Sequence, residues 1–356
     1  MDSDREALTI GIDLGATSVR VAAWSPRAGL LETSIFPTRI AAGPVAVVDD
    51  IADSVAALLV THSRSRSCVG IGVGSPGPLE LPAGRLHAPP NLPGWDKFPL
   101  LDELKSRFSH PLFLDGDAKV AALAEFVLGS GREFAVDSLC MLTLGTGVGS
   151  GIILKGRIWH GVSGMAAEAG HLTIDPAGPA CGCGNAGCLE AYASATAVVK
   201  AAAHFPADSL HPPHPPFADP ALPLTAGGLA IAARAGDPRA HSIYKHAGRA
   251  LGIALADLIN LLNLPLYVIG GGVAQSWDLF APSIFEELHR RSYVYRLTAS
   301  GGAACHAVHG GTRVIPSRLG PEAGLLGACI LPFHAPPAHR DEARSDRQPH
   351  LRETPS

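Results

Sequence analysis

The sequence predicts an α/β protein of two domains, and three observations predict it. Stretches patterned as buried strands alternate with stretches patterned as amphipathic helices along most of the chain. A strand, a glycine-rich turn and a second strand occur twice, as IGIDLGATSVRVAAW near the start and as MLTLGTGVGSGIIL about 130 residues later. At 356 residues the chain is long enough for two domains of ordinary size.

The elements follow in order. LTIGIDLG reads as a buried strand and SVRVAAW as its return partner across a glycine-containing turn. VVDDIADSVAALLV has helical spacing of its apolar residues. CVGIGVGSPGPL is a strand running into a Gly/Pro loop, LLDELKSRF a helix, PLFL a short strand, and AKVAALAEFVLG a helix that stops near Gly129. LCMLTLGTGVGSGIIL repeats the opening device, and ASATAVVKAAA continues as helix. Residues 204–223 hold too many prolines for a helix or a central strand and read as an inserted surface loop. HSIYKHAGRALGIALADLINLLN is a long helix, LYVIGGGVAQSWDLF a strand, glycine turn and helix, and PEAGLLGACIL a final helix. Residues 335–356 are polar and proline-bearing, the composition of a disordered tail.

Composition narrows the function classes. A 47% hydrophobic content supplies sizeable cores, and only 6% aromatic content with abundant Ala and Gly favours close packing and tight turns. The formal charge of −4 speaks against a nucleic-acid partner. No apolar run is long enough to span a bilayer, and the acidic start leads straight into a strand without a signal-peptide layout, so a cytoplasmic protein is expected. In that compartment seven cysteines should be thiols or metal ligands. Cys68, Cys140, Cys305 and Cys329 sit in apolar surroundings and read as small buried hydrophobes.

The glycine turns carry the first chemical suggestion. Turns without a Cβ expose backbone N–H groups, which suits a phosphate anion. The first turn adds Asp13, Thr17 and Ser18, and the second adds Thr146. An aspartate beside phosphates commonly holds Mg²⁺. VIGGGVA at 268–274 is a third glycine turn entering a helix, close enough in backbone to take an adenine or ribose; it is neither a Walker A loop nor a full dinucleotide fingerprint.

CGCGNAGCLEAYAS, with His171 upstream in EAGHL, spells H-x9-C-x-C-x4-C. Three thiolates and one imidazole complete a tetrahedral Zn²⁺ shell, the pattern of a closed structural site; a disulfide is the rival, disfavoured by the compartment. Glu168 and Glu190 flank this loop. Each is either a solvated glutamate or an acceptor for sugar hydroxyls beside a rigid metal loop. His171 has a second ring nitrogen to offer a substrate. Asp115 and Asp117 stand at a strand-to-helix junction, where Asp117 is either a helix N-cap or a general base for a hydroxyl attacking phosphorus.

Taken together, CGCGNAGCLEAYAS, EAGHL, DLGATSVR, LGTGVGSGI, SPGPL and NLPGW resemble, in order, the segments of the ROK family (repressors, open reading frames and kinases) over roughly residues 8–332. The resemblance implies an actin/hexokinase-like fold of two ribonuclease-H-like domains around a cleft. It places a small domain at 1–116 plus a C-terminal helix near 320–332, and a large domain at 117–319. It implies an ATP- and Mg²⁺-dependent hexose kinase, glucokinase-like, acting on the 6-hydroxyl and assembled as a homodimer. Asp13, Gly15, Thr17 and Arg20 match the first phosphate segment, Gly145, Thr146 and Gly147 the second, and Gly271 and Gly272 the adenosine turn. Asp117 matches the base. Glu168, His171 and Glu190 match sugar contacts, with Gly77 and Asn91 in segments that approach the sugar. His171, Cys181, Cys183 and Cys188 match the zinc ligands. One segment departs: where the family writes Glu-Asn-Asp-Ala-Asn this chain has DGDAK, so Gly116 lacks a side chain that would meet a sugar hydroxyl. Lys119 is expected to face the following helix turn. Other readings are a kinase for N-acetylmannosamine, N-acetylglucosamine or another sugar, and a non-catalytic sugar sensor. A DNA-binding regulator is not expected, because only about seven residues precede the first strand.

Overall fold

The computed structural model describes residues 6–203, 224–302 and 311–334. The expected insertion at 204–223, the tail at 335–356 and Cys305 lie outside these residues.

In chain order the elements are β1 (Glu6–Leu14), β2 (Ser18–Ser25), β3 (Gly29–Pro37), α1 (Pro44–His62), β4 (Arg66–Ser75), β5 (Leu79–Glu80), β6 (Arg85–Leu86), α2 (Leu100–Lys105), β7 (Leu112–Gly116), α3 (Asp117–Val127) and α4 (Ser130–Glu133). There follow β8 (Leu139–Leu144), β9 (Val148–Leu154), β10 (Arg157–Ile158), α5 (Glu190–Ala193), α6 (Ala195–Ala203), α7 (Ala226–Arg234) and α8 (Pro238–Leu262). The chain closes with β11 (Leu266–Gly270), α9 (Trp277–Arg291), α10 (Tyr293–Thr298), β12 (Arg313–Pro316) and α11 (Ala323–His334). Among the described residues no helix is long and apolar enough to cross a membrane.

The chain divides into two compact units. The first takes in the described residues of Met1–Ala124, His160–Ala166 and Glu322–Ser356, and the second those of Glu125–Trp159 and Ala167–Pro321. Each is built on a five-stranded sheet. In the first the order is β3-β2-β1-β4-β7, and in the second β10-β9-β8-β11-β12. Both have the same sense: three antiparallel strands, then two added in parallel. The parallel additions need crossover connections, and α1 supplies one in the first unit. This is the ribonuclease-H-like architecture that the sequence led us to expect.

In the first unit Leu8, Ile10, Ile12 and Leu14 of β1 line one face of the sheet and join Val47, Val48, Ile51, Val55 and Leu58 of α1 in one apolar cluster. The alternation on β1 is the period of two that sends successive side chains to opposite faces. The other face receives α11, and it does so against glycine. A Cβ on Gly72 would overlap the carbonyl oxygen of Ala328, and one on Gly11 would meet Cys329. Thr9, on that same face, donates to the Cys329 carbonyl oxygen at 2.7 Å. Burial alone pushes the Cys140 thiol up to about 12, and it raises Cys68 as well, in keeping with inert buried thiols.

In the second unit α8 is the organising helix. Asp237 caps it, accepting from Arg239 N at 2.9 Å, Pro238 opens it, and Asn263 closes it in a left-handed conformation. Ile243, Leu251, Leu255 and Ile259 pack into the core beneath the sheet. Gly248 and Gly252 let α9 approach, since side chains there would collide with Phe280 and Ile284.

Candidate functional site

The two glycine hairpins occupy the same place in their sheets but differ in length, residues 15–18 against 145–147. Gly15 N donates to Ser18 O at 3.1 Å, and Gly145 N donates to Gly147 O at 2.9 Å. Thr17 and Thr146 stand exposed at their tips. The first turn is held by Thr38, whose Oγ1 donates to Gly15 O at 2.7 Å and whose N donates to Thr17 O at 3.0 Å. Across the first hairpin Asp13 pairs in register with Arg20, and Arg20 Nε and Nη2 both donate to Asp13 Oδ2, at 2.9 and 2.5 Å. Arg20 also lies 3.8 Å from Glu322. The second hairpin is held by neighbours from the α5–α6 region. Val148 N donates to Glu190 Oε2 at 2.9 Å, Ala195 N to Gly145 O at 2.8 Å, and Thr196 Oγ1 to Thr146 O at 2.8 Å. Gly271, with φ 85°, begins the third turn after β11, in a conformation that favours glycine, and Gly272 next to it is exposed.

His171, Cys181, Cys183 and Cys188 converge: one ligand atom from each lies within 4.8 Å of all the others. His171 presents Nδ1 to Cys181 Sγ at 3.7 Å, and Cys183 and Cys188 sulfurs are also 3.7 Å apart. Two thiolates on a tetrahedral zinc stand about 3.8 Å apart, from zinc–sulfur bonds of ~2.3 Å. The separations therefore fit zinc and are too long for a disulfide. The loop that brings the four together is tied down by Cys181 N to Asn185 O at 2.8 Å, Gly187 N to Pro179 O at 2.7 Å and Leu189 N to Leu172 O at 2.9 Å. Without a cation the thiols are mismatched: burial pushes Cys188 up to about 12 and also raises Cys181, while the Asn185 backbone N–H lowers Cys183. A divalent ion would hold all three as thiolates.

Glu190 opens α5 two residues after the last cysteine. It faces both features at once, with Oε2 on the Val148 amide and Oε1 3.8 Å from Cys181 Sγ. Glu168 is exposed just ahead of the short 3-10 turn that carries His171. Ser150 of β9 donates to Ala167 O and accepts from Ala169 N at 3.0 Å, which pins that turn to the sheet.

In the first unit Asp117 is exposed at the end of β7, and its Oδ1 accepts from the following Ala118 N at 2.6 Å. Asp115, two residues earlier, is buried at 3% exposure and accepts from Gly116 N at 2.8 Å. Its other oxygen meets His160 Nε2 at 2.6 Å. His160 belongs to 160–166, a stretch that leaves the second unit's sequence range and packs within the first. There Leu81 N donates to Ser163 O at 2.9 Å, and Lys119 Nζ donates to Gly164 O at 2.7 Å. Lys119 therefore does not face the following helix turn, as expected, but reaches back over Gly116. The Gly164 carbonyl draws the ammonium there, and the stem lies beside Gly116, where an added Cβ would stand 3.6 to 3.7 Å away. The sequence reading missed His160 and this stretch. The histidine that opens HGVSG, a few residues ahead of EAGHL, was the available signal. Gly77 and Asn91 fall in loops of the first unit, Gly77 half-buried and Asn91 exposed.

The comparisons bear directly on these segments. The model of the ROK family matches residues 9–334. A glucokinase of Halalkalibacterium halodurans is 36% identical over 320 residues, covering 89% of this chain and 92% of that protein. Among solved structures, a ROK hexokinase from Thermus thermophilus shares 32% identity with a TM-score of 0.71, covering 92% of this chain and 98% of its own. A ROK family glucokinase from Streptomyces griseus, in complex with glucose and AMPPNP, shares 28% identity with a TM-score of 0.69, covering 91% and 98%. A match over nearly all of the described chain, on the segments just located, leaves one conclusion: the chain belongs to the ROK family.

Proposed function

We infer that the protein is an ATP-dependent hexose kinase that phosphorylates the 6-hydroxyl of glucose. The observation that carries this is the 36% identity to a glucokinase across 89% of the chain, in a sequence that retains an exposed aspartate at the β7–α3 junction. Asp117 is the general base. It takes the proton of the 6-hydroxyl as that oxygen attacks the γ-phosphorus in line; the bond from γ-phosphorus to the bridging oxygen breaks, and ADP leaves. Glu168 and Glu190 accept from sugar hydroxyls, and His171 donates its Nε2–H to a sugar hydroxyl oxygen. For His171 this use is compatible with metal ligation, because Nδ1 faces the thiols and leaves Nε2 to the sugar.

ATP is held by backbone amides of the turns at Gly15–Thr17 and Gly145–Gly147, with Arg20 beside the first and Gly271 and Gly272 against the adenosine. Mg²⁺ fits Asp13, a half-buried carboxylate at the end of β1, since Mg²⁺ is commonly held by one or two carboxylates plus substrate phosphates; it would screen the phosphate charge. Zinc at His171, Cys181, Cys183 and Cys188 has a structural role: all four positions are filled by protein, so none is open for catalysis. We place the enzyme in the cytoplasm as a homodimer, on the family resemblance.

The test is ADP release against a panel of glucose, mannose, fructose, N-acetylglucosamine and N-acetylmannosamine. Glucose should give the highest kcat/KM. An N-acetylated sugar ranking first would move the assignment to that substrate, and silence on every sugar despite calorimetric sugar binding would replace a kinase with a sensor.

A further inference from the structure

Lys119 is the most unusual charged side chain of the first unit. It is 6% exposed, yet among the described residues no carboxylate lies within ion-pair distance of its ammonium. Its one hydrogen bond is to a neutral acceptor, Gly164 O, at 2.7 Å. An ammonium carries three donors, so two remain for something else. Buried cations are ordinarily paired, because removing the charge from water is costly. Asp115 does not serve: one of its oxygens is held by Gly116 N and the other by His160.

The position of the ammonium is set by the glycine beside the base. A Cβ at Gly116 would stand 3.6 Å from Lys119 Nζ and 3.7 Å from Cδ and Cγ. The lysine stem thus lies across the face of Gly116, in the space a longer side chain there would enter. Gly116 is peptide-bonded to Asp117, and 116 and 119 are one helical turn apart, the spacing at which side chains meet. The Gly164 carbonyl keeps a second lone pair, so ammonium and carbonyl together offer a donor and an acceptor, the complement of a hydroxyl group.

We propose that Lys119 is a substrate-binding residue that donates to the 4-hydroxyl oxygen of the hexose, with Gly116 as the residue that makes room for it. The choice of hydroxyl follows from sugar chemistry. With the 6-hydroxyl at Asp117, the nearest ring hydroxyl is the one on C4. This rests on the kinase reading above and deepens it: the side chain missing at 116 is replaced, from one turn further along α3, by a cationic donor. A donor-only group favours a substrate that presents a hydroxyl oxygen at C4 and disfavours one that presents only hydrogen there.

The experiment compares glucose, 3-deoxyglucose and 4-deoxyglucose, by calorimetric titration and steady-state kinetics, on the wild type and on Lys119→Met. Methionine keeps the apolar stem and removes the charge. In the wild type 4-deoxyglucose should bind about tenfold or more weakly than glucose, as expected for a lost hydrogen bond to a charged group. In Lys119→Met glucose should weaken by a similar factor, and the ratio of glucose to 4-deoxyglucose should fall to within about twofold, while KM for ATP holds. If Lys119 only tethers 160–166, all three sugars weaken together and the ratio persists, which overturns the proposal. Gly116→Val, whose apolar side chain enters the lysine's space and offers no hydrogen bond of its own, should lower the same ratio and supplies the answer should the methionine variant not fold; an unchanged ratio there also counts against the proposal. A wild type that neither binds nor phosphorylates glucose sinks the kinase reading itself, an outcome visible before any variant is made.

Discussion

The two units carry the same sheet and a glycine hairpin at the same place in it, and a threonine hydroxyl and a backbone N–H hold the turn carbonyls in both; what differs is the charged group added to them. In the first, Thr38 supplies the neutral donors and an ion pair spans β1 and β2, Arg20 against Asp13. In the second, uncharged donors and carbonyls from the start of α6 hold the turn, joined by a carboxylate that itself leans on the thiol cluster. The difference teaches that the backbone turn is the shared device, while its support decides what else the unit can do. On the proposed function, the charge pair stands where Mg²⁺ and phosphate would bind, and a metal at the thiol cluster would fix carboxylates and an imidazole in place for a sugar.

The sharpest division between the units is chemical, and Asp117→Ala tests it with the largest expected effect. If Asp117 is the base, as proposed, its removal should lower kcat by about 10²–10⁴-fold. Metal content, determined by elemental analysis, should be unchanged, because the thiol cluster is formed by residues of the other unit. Residual turnover within a few fold of wild type would remove Asp117 from its role.

Next in size is the metal brace. Cys183→Ser, or prolonged exposure to a strong chelator, should cost at least ~2 kcal/mol, which for a unit of this size is a fall in Tm of roughly 4–8 °C. The comparison predicts where the loss appears. Hydrogen exchange should quicken across 144–150 and 170–190 and remain slow in β1 and β2. Uniform loss of protection would mean that the two supports are not independent.

Glu190 separates bracing from binding. Glu190→Ala leaves the buried Val148 amide without its acceptor, at a cost of about 1–3 kcal/mol. Glu190→Gln keeps an acceptor for that amide and removes only the charge. If Glu190 also takes a sugar hydroxyl, both variants should raise KM for glucose, but only the alanine variant should lower Tm appreciably. A glutamine variant with unaltered KM would leave Glu190 as a brace alone.

These supports mark the limit of what the sequence discloses. Both hairpins were legible because a strand has a period of two and a tight turn needs glycine, and both are local facts. So was the quartet of His171, Cys181, Cys183 and Cys188, because ligand spacing is written along the chain. The edge strands β3 and β12 were not foreseen, since an exposed or short strand has little apolar pattern to show. Least legible was the docking of 160–166 beside Asp115 and Lys119. No periodicity announces where a loop will find its partners; that is settled by tertiary packing. Lys119 shows the same limit in one residue: helix geometry alone suggested a forward-facing side chain, and the Gly164 carbonyl of the docked stretch turned it back.

The smallest effect belongs to the ion pair of the first hairpin. Arg20 and Asp13 keep 22% and 15% side-chain exposure, so water and salt screen them, and Arg20→Ala should cost only about 1 kcal/mol. The kinetic change is the informative one. The variant withdraws a positive charge from the turn at Gly15–Thr17 and leaves Asp13 without its guanidinium. KM for ATP should therefore rise a few fold, most clearly at low ionic strength, while KM for glucose stays put. Lys at this position would restore charge without the two-pronged contact and should recover part of the loss. If KM for glucose moved instead, the assignment of phosphate to the first hairpin would fail, and the proposed division between an ion-paired turn for nucleotide and a thiol-flanked corner for sugar would fail with it.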